Sequence, residues 1–130
     1  HGTTMDGLVD LEHDMRAEGV DIGPQVAAAS GPAGADQQQG SEFITRLNSG
    51  GDTMPGLDYT VLTTTYDEVS TPYTASFLTA GPGAHVDDIV IQDGCPADHT
   101  EHTDFTYSPR AQSLALRGLG AQLPPVCVAR

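Results

Sequence analysis

The sequence has 130 residues with five Arg, no Lys and 18 Asp plus Glu, a formal net charge of −13. Such a surface repels phosphate backbones and anionic headgroups, which argues against nucleic-acid binding and charge-driven membrane adsorption. No run of 18 apolar residues occurs, so no membrane span is expected, and the length limits the chain to one domain or part of one.

Residue 1 is His, with no basic or apolar leader behind it, so the chain reads as a processed product or a fragment. Thr3-Thr4-Met5-Asp6 resembles a capping box. Met5, Leu8, Val9, Leu11 and Met15 then follow a helical period that Gly19 ends. Residues 20–36, with Gly23-Pro24 and Gly31-Pro32-Ala33-Gly34, read as loop. A second helix is predicted over about 37–48, with Phe43, Ile44 and Leu47 on one face and Gly50-Gly51 as its stop.

The period then changes. Residues 59–66 are a β-branched and aromatic run of strand length between Pro55-Gly56 and Asp67-Glu68. Residues 88–92 form a second strand, continuously apolar at its centre as buried parallel strands are. A long connection with Phe77-Leu78 as its apolar knot separates the two. Ser108-Pro109 opens a last helix, a cap followed by Pro at the first position. Ala111, Leu114, Ala115, Gly118 and Leu119 give that helix one apolar face, and the tail 123–127 is extended. The order predicts an α/β fold. Two parallel strands do not make an independent sheet, so further strands are expected outside the chain, and low stability with them.

Cys95 and Cys127 are not in a C-x-x-C pair, which argues against a zinc or redox motif of that type. An acidic, lysine-free chain rich in Thr and Gly suits a secreted protein, where a disulfide persists. A disulfide and two buried free thiols both fit these residues.

The polar signals stand just after the strands. Asp67 follows the first directly, and Glu101-His102 follow the second after a Cys-Pro loop. Sites in open parallel sheets form at the carboxyl ends of strands. An acid and then a histidine at that edge match the chain order of the α/β-hydrolase triad, Ser, acid, His. The plain alternative is that turns after strands are commonly acidic for capping reasons.

The segments FITRLNSGGDTMPGLDYTVLTTTYDEVSTPYTASFL and IVIQDGCPADHTEHTDFTYSP, with HGTT at the start, resemble the C-terminal half of secreted bacterial class 2 lipases. These are triacylglycerol lipases and esterases of the α/β-hydrolase superfamily. The resemblance rests most on Tyr66-Asp67-Glu68-Val69 with Thr71-Pro72-Tyr73, and on Cys95-Pro96 with Glu101-His102. It implies that residues 1–130 are the C-terminal portion of a single α/β-hydrolase domain, incomplete as it stands. It further implies Asp67 as the triad acid, His102 as the base, and a secreted enzyme hydrolysing carboxylic esters of lipids. No cofactor is implied. The partners are a lipid or small ester substrate and the N-terminal half of the same protein, with no nucleic acid.

Three departures stand against the pattern. No Ser lies in a G-x-S-x-G elbow, so the nucleophile is absent and the 130 residues alone should be inactive. Gly31-Pro32-Ala33-Gly34 stands where the family tends to have Cys-Pro-Ala-Cys, which leaves Cys127 as the available partner of Cys95. Thr103-Asp104 replaces a more apolar pair after His102. The alternative reading is a non-catalytic acidic secreted module or truncated, inactive lipase-like product, binding metal through the His99/His102 loop. Asp87, Asp88 and Asp93 are read as surface charge rather than a calcium loop, since D-x-[DN]-x-[DN]-G is absent. His13 and His85 are read as exposed.

Overall fold

The computed structural model describes all residues from His1 to Arg130. The chain forms four helices and one two-stranded parallel sheet, of which α4 packs on the sheet: α1 (Leu8–Ala17), α2 (Gly23–Gln37), α3 (Glu42–Asn48), β1 (Asp58–Thr63), β2 (His85–Val90) and α4 (Pro109–Gly118). Short 3₁₀ turns at Tyr73–Ser76 and Phe105–Tyr107 interrupt the connections. The fold is therefore mixed α/β with a parallel pair, as the period change at residue 59 implied.

The strands pair from Asp58 opposite His85 to Thr63 opposite Val90. Ile91 N–H continues the ladder to Thr63 O at 2.9 Å. Parallel register brings both carboxyl ends to one edge of the sheet, so whatever follows Thr63 and Val90 emerges side by side.

Packing lies mostly on one face of this pair. Ile91, Ala111 and Leu114 form the buried core cluster, with Leu62, Ile89 and Phe105 packed against it. Ser108 caps α4 by accepting the Ala111 N–H at 3.3 Å, and Pro109 occupies the first helical position, where a missing N–H costs nothing. The buried stripe of α4 is Arg110, Ala111, Ser113 and Leu114, whereas Leu119 is 85% exposed. Ala111 and Leu114 of the expected apolar face are thus buried, Leu119 lies just past the helix, and Arg110 and Ser113 widen the stripe. The Arg110 guanidinium donates to the carbonyls of Ile91, Asp93 and Val126 and ties the strand exit to the tail. Cys95 and Cys127 form a disulfide with Cα atoms 5.5 Å apart, which pins that tail.

The N-terminal half departs further from expectation. Thr3 and Thr4 do not cap α1; Gly7, at φ 84°, occupies the cap position with no side-chain hydrogen bond. The two hydroxyls instead donate to Val69 O and Thr71 O, at 2.5 and 3.1 Å. Residues 23–36, read as loop, belong to α2, which has a break at Gly31 (φ 71°, ψ 174°). Pro24 lies in the first turn, where it favours a start, and the Ala-rich tract behind it propagates the helix. Gly40 and Ser41 separate α2 from α3, and Ser41 caps α3 through Ile44 N–H at 3.1 Å. Phe43 and Leu47, read with Ile44 as one apolar face, are 42% and 62% exposed.

Candidate active site

Asp67 sits four residues beyond β1, in a turn that its own side chain builds. Its Oδ1 accepts the N–H groups of Val69 and Ser70 at 3.0 and 2.6 Å. Self-bonding of this kind is what short acidic side chains do at strand exits, and it fixes the carboxylate's direction. His102 lies on the loop after β2. Its Nδ1 is 3.0 Å from Asp67 Oδ1 and 3.1 Å from Oδ2. A carboxylate only accepts, so Nδ1 carries the proton and Nε2 is left as the ring's acceptor.

The environments of the two differ in a useful way. The Asp67 side chain is 14% exposed and that of His102 41%. The acid is held inside its turn while the outer edge of the imidazole faces solvent, and Nε2 makes no hydrogen bond within the chain. The next residue also holds the histidine, since the His102 backbone N–H donates to Glu68 Oε2 at 3.1 Å. Asp67 grips the ring and Glu68 the backbone of one residue.

Beneath the pair lies a buried polar group of side chains. Asp98, fully buried, accepts from Thr100 N–H at 2.9 Å, from the Thr100 hydroxyl at 2.5 Å and from the Ser108 hydroxyl at 3.1 Å. Burial raises the pKa of Asp98, but these hydrogen bonds outweigh it and hold the carboxyl below its ordinary value. The hydrogen-bonding roles of Glu68, Asp98 and Thr100 were not read from the sequence. The only local hint was the position of Glu68 beside Asp67.

The remaining candidates fall away from the pair. The His99 ring lies against Tyr66, centroids 4.8 Å apart, and no three His, Cys, Asp or Glu side chains are gathered to hold a metal ion. Asp104 is 3.9 Å from Arg130. Asp88 Oδ1 accepts Leu78 N–H at 3.3 Å, which gives it a structural partner. His13 and His85 are exposed. Phe77 packs edge-on against Tyr73 at 6.0 Å. A cleft of about 210 Å³ lies behind the Asp67 turn, where Thr3, Ile44, Ser70 and Ala75 line it, but neither Asp67 nor His102 does. The His102 side of the pair faces open surface.

No protein-family model matches the chain, and no curated protein matches it. No helix is long and apolar enough to cross a membrane.

Proposed function

We propose that the chain carries the acid and the base of a serine ester hydrolase of the lipase type, as the C-terminal portion of an α/β-hydrolase domain. The observation that carries this reading is the Asp67–His102 hydrogen bond at the carboxyl edge of the parallel pair, with Nε2 left free. In such a site a serine hydroxyl from outside these residues attacks the ester carbonyl. His102 Nε2 takes its proton and later delivers one to the leaving alcohol. Asp67 holds the Nδ1–H tautomer and stabilises the imidazolium formed in between. The open surface around the pair supports a site whose nucleophile, oxyanion donors and acyl walls come from the preceding part of the same protein. The Cys95–Cys127 disulfide supports an exported protein.

The reading is tested with a fluorophosphonate probe and a short p-nitrophenyl ester. The 130 residues alone should neither label nor hydrolyse. Expressed behind its own upstream coding sequence, the protein should label at a Ser within G-x-S-x-G. Hydrolysis by the 130 residues alone that is lost in His102→Ala would contradict the missing nucleophile, and a longer protein that does not label would contradict the enzyme class.

A further inference from the structure

One hydroxyl links the two loops that bear the pair. Thr64, fully buried just past β1, donates its Oγ1–H to Thr100 O at 2.7 Å. The same oxygen accepts from Gln92 Nε2 at 3.0 Å and from Tyr66 N–H at 3.2 Å. A hydroxyl has one proton and two lone pairs, and here all three are used. Gln92 is committed just as fully. Its second Nε2 proton goes to Asp98 O at 2.9 Å, and its Oε1 accepts Thr65 N–H at 3.0 Å.

Thr64 stands three residues before Asp67, and Thr100 two residues before His102. The Thr64–Thr100 bond is therefore a short, direct tie between the acid's loop and the base's loop, set in a dry interior where hydrogen bonds hold geometry tightly. The ring contact of His102 with Asp67, by comparison, lies at the surface, where water competes for the 41% exposed imidazole.

We propose that the Thr64 hydroxyl is a positioning group for the Asp67–His102 pair, holding the His102 loop at the distance where Nδ1 meets the carboxylate. This rests on the hydrolase reading above for its purpose, though not for its geometry. Thr64 touches no reacting atom. It acts through Thr100 on the base and through Tyr66 on the acid, with Gln92 orienting its single proton.

The test is ¹⁵N NMR of the His102 ring in the disulfide-intact chain at low temperature and at a pH where the ring is neutral. Thr64→Val keeps the volume and removes the hydroxyl, whereas Thr64→Ser keeps the hydroxyl. Wild type and Thr64→Ser should show His102 predominantly as the Nδ1–H tautomer. Thr64→Val should show it predominantly as Nε2–H, the form an unheld imidazole prefers, with unchanged circular dichroism. A folded Thr64→Val that keeps the Nδ1–H form overturns the positioning role and leaves the acid–base reading standing. A wild-type ring in the Nε2–H form overturns both, because Asp67 then does not hold the base. Should Thr64→Val fail to fold, Gln92→Glu decides at a half-buried position. Its carboxylate still accepts Thr65 N–H and competes for the one hydroxyl proton, drawing it from Thr100 O. The same shift to Nε2–H is expected, and retention of Nδ1–H overturns the proposal.

Discussion

Each oxygen of the buried Asp98 carboxylate meets at least one donor, and the balance of burial against those bonds leaves its pKa lowered. The sign of the consequence follows from linkage. A carboxyl lowered by folding adds stability that is fully present above its unfolded value of about 3.9 and is lost as pH falls through its folded value. Asp98→Asn should therefore flatten the acid limb of a stability-against-pH curve while leaving its neutral and alkaline parts parallel to wild type. At neutral pH it should cost about 1–3 kcal/mol by denaturant titration, since an amide cannot accept from all three donors. Thr63 presents the opposite case, a buried hydroxyl with no hydrogen-bond partner. Thr63→Val should be neutral or stabilising by up to about 1 kcal/mol in the same titration, because it removes an uncompensated polar group of nearly equal volume.

Helix α4 is the element that the sheet depends on, and its approach is set by a glycine. A Cβ at Gly118 would stand 2.7 to 3.1 Å from the Thr60 side-chain atoms, closer than such contacts allow. Thr60 is β-branched and fixed on a strand, so helix and strand must separate to admit a methyl group. Gly118→Ala should destabilise by about 1–3 kcal/mol despite the gain in helix propensity, measurable as a lowered denaturant midpoint. This same helix was the most legible element in the sequence. Ser108-Pro109 marks its start by local chemistry that holds wherever the helix packs. The strands were legible for a similar reason, since β-branched and apolar runs bounded by turns have few other uses; their ends shifted only because pairing selects which residues join the ladder. Helix α2 was not legible. Gly and Pro punctuate both loops and helix starts, and only the fold shows that Pro24 begins a helix and Gly31-Pro32 bends one. The positions of Asp67 and His102 were readable because each follows a strand. The Thr64–Gln92–Asp98–Thr100 group was not, since its members are joined by contacts between distant residues that leave no periodic trace.

At the scale of the molecule, only 15 of the 130 residues are buried, too few to make an extended core. Each strand has one paired edge, and parallel strands are ordinarily covered on both faces. The disulfide closes a loop spanning 32 positions, around the sheet exit, α4 and the tail. In the chain-entropy account that closure is worth roughly 3–4 kcal/mol. Reduction should therefore unfold the region around α4, seen as loss of amide protection there, while the intact chain melts over a broad range; a sharp transition indifferent to reductant would contradict this. The imidazole is aimed and its tautomer set, but nothing within the 130 residues stands opposite Nε2 to give up a proton.

The proposed role of His102, held by Asp67, is that of the base of an ester hydrolase. Its most direct test is the rate of p-nitrophenyl ester hydrolysis by the protein as its gene encodes it, compared with its His102→Ala and Asp67→Asn variants. We expect His102→Ala to lower kcat by about 10⁶-fold and Asp67→Asn by about 10⁴-fold, with little change in KM. A protein that hydrolyses the ester equally well without His102 would contradict it.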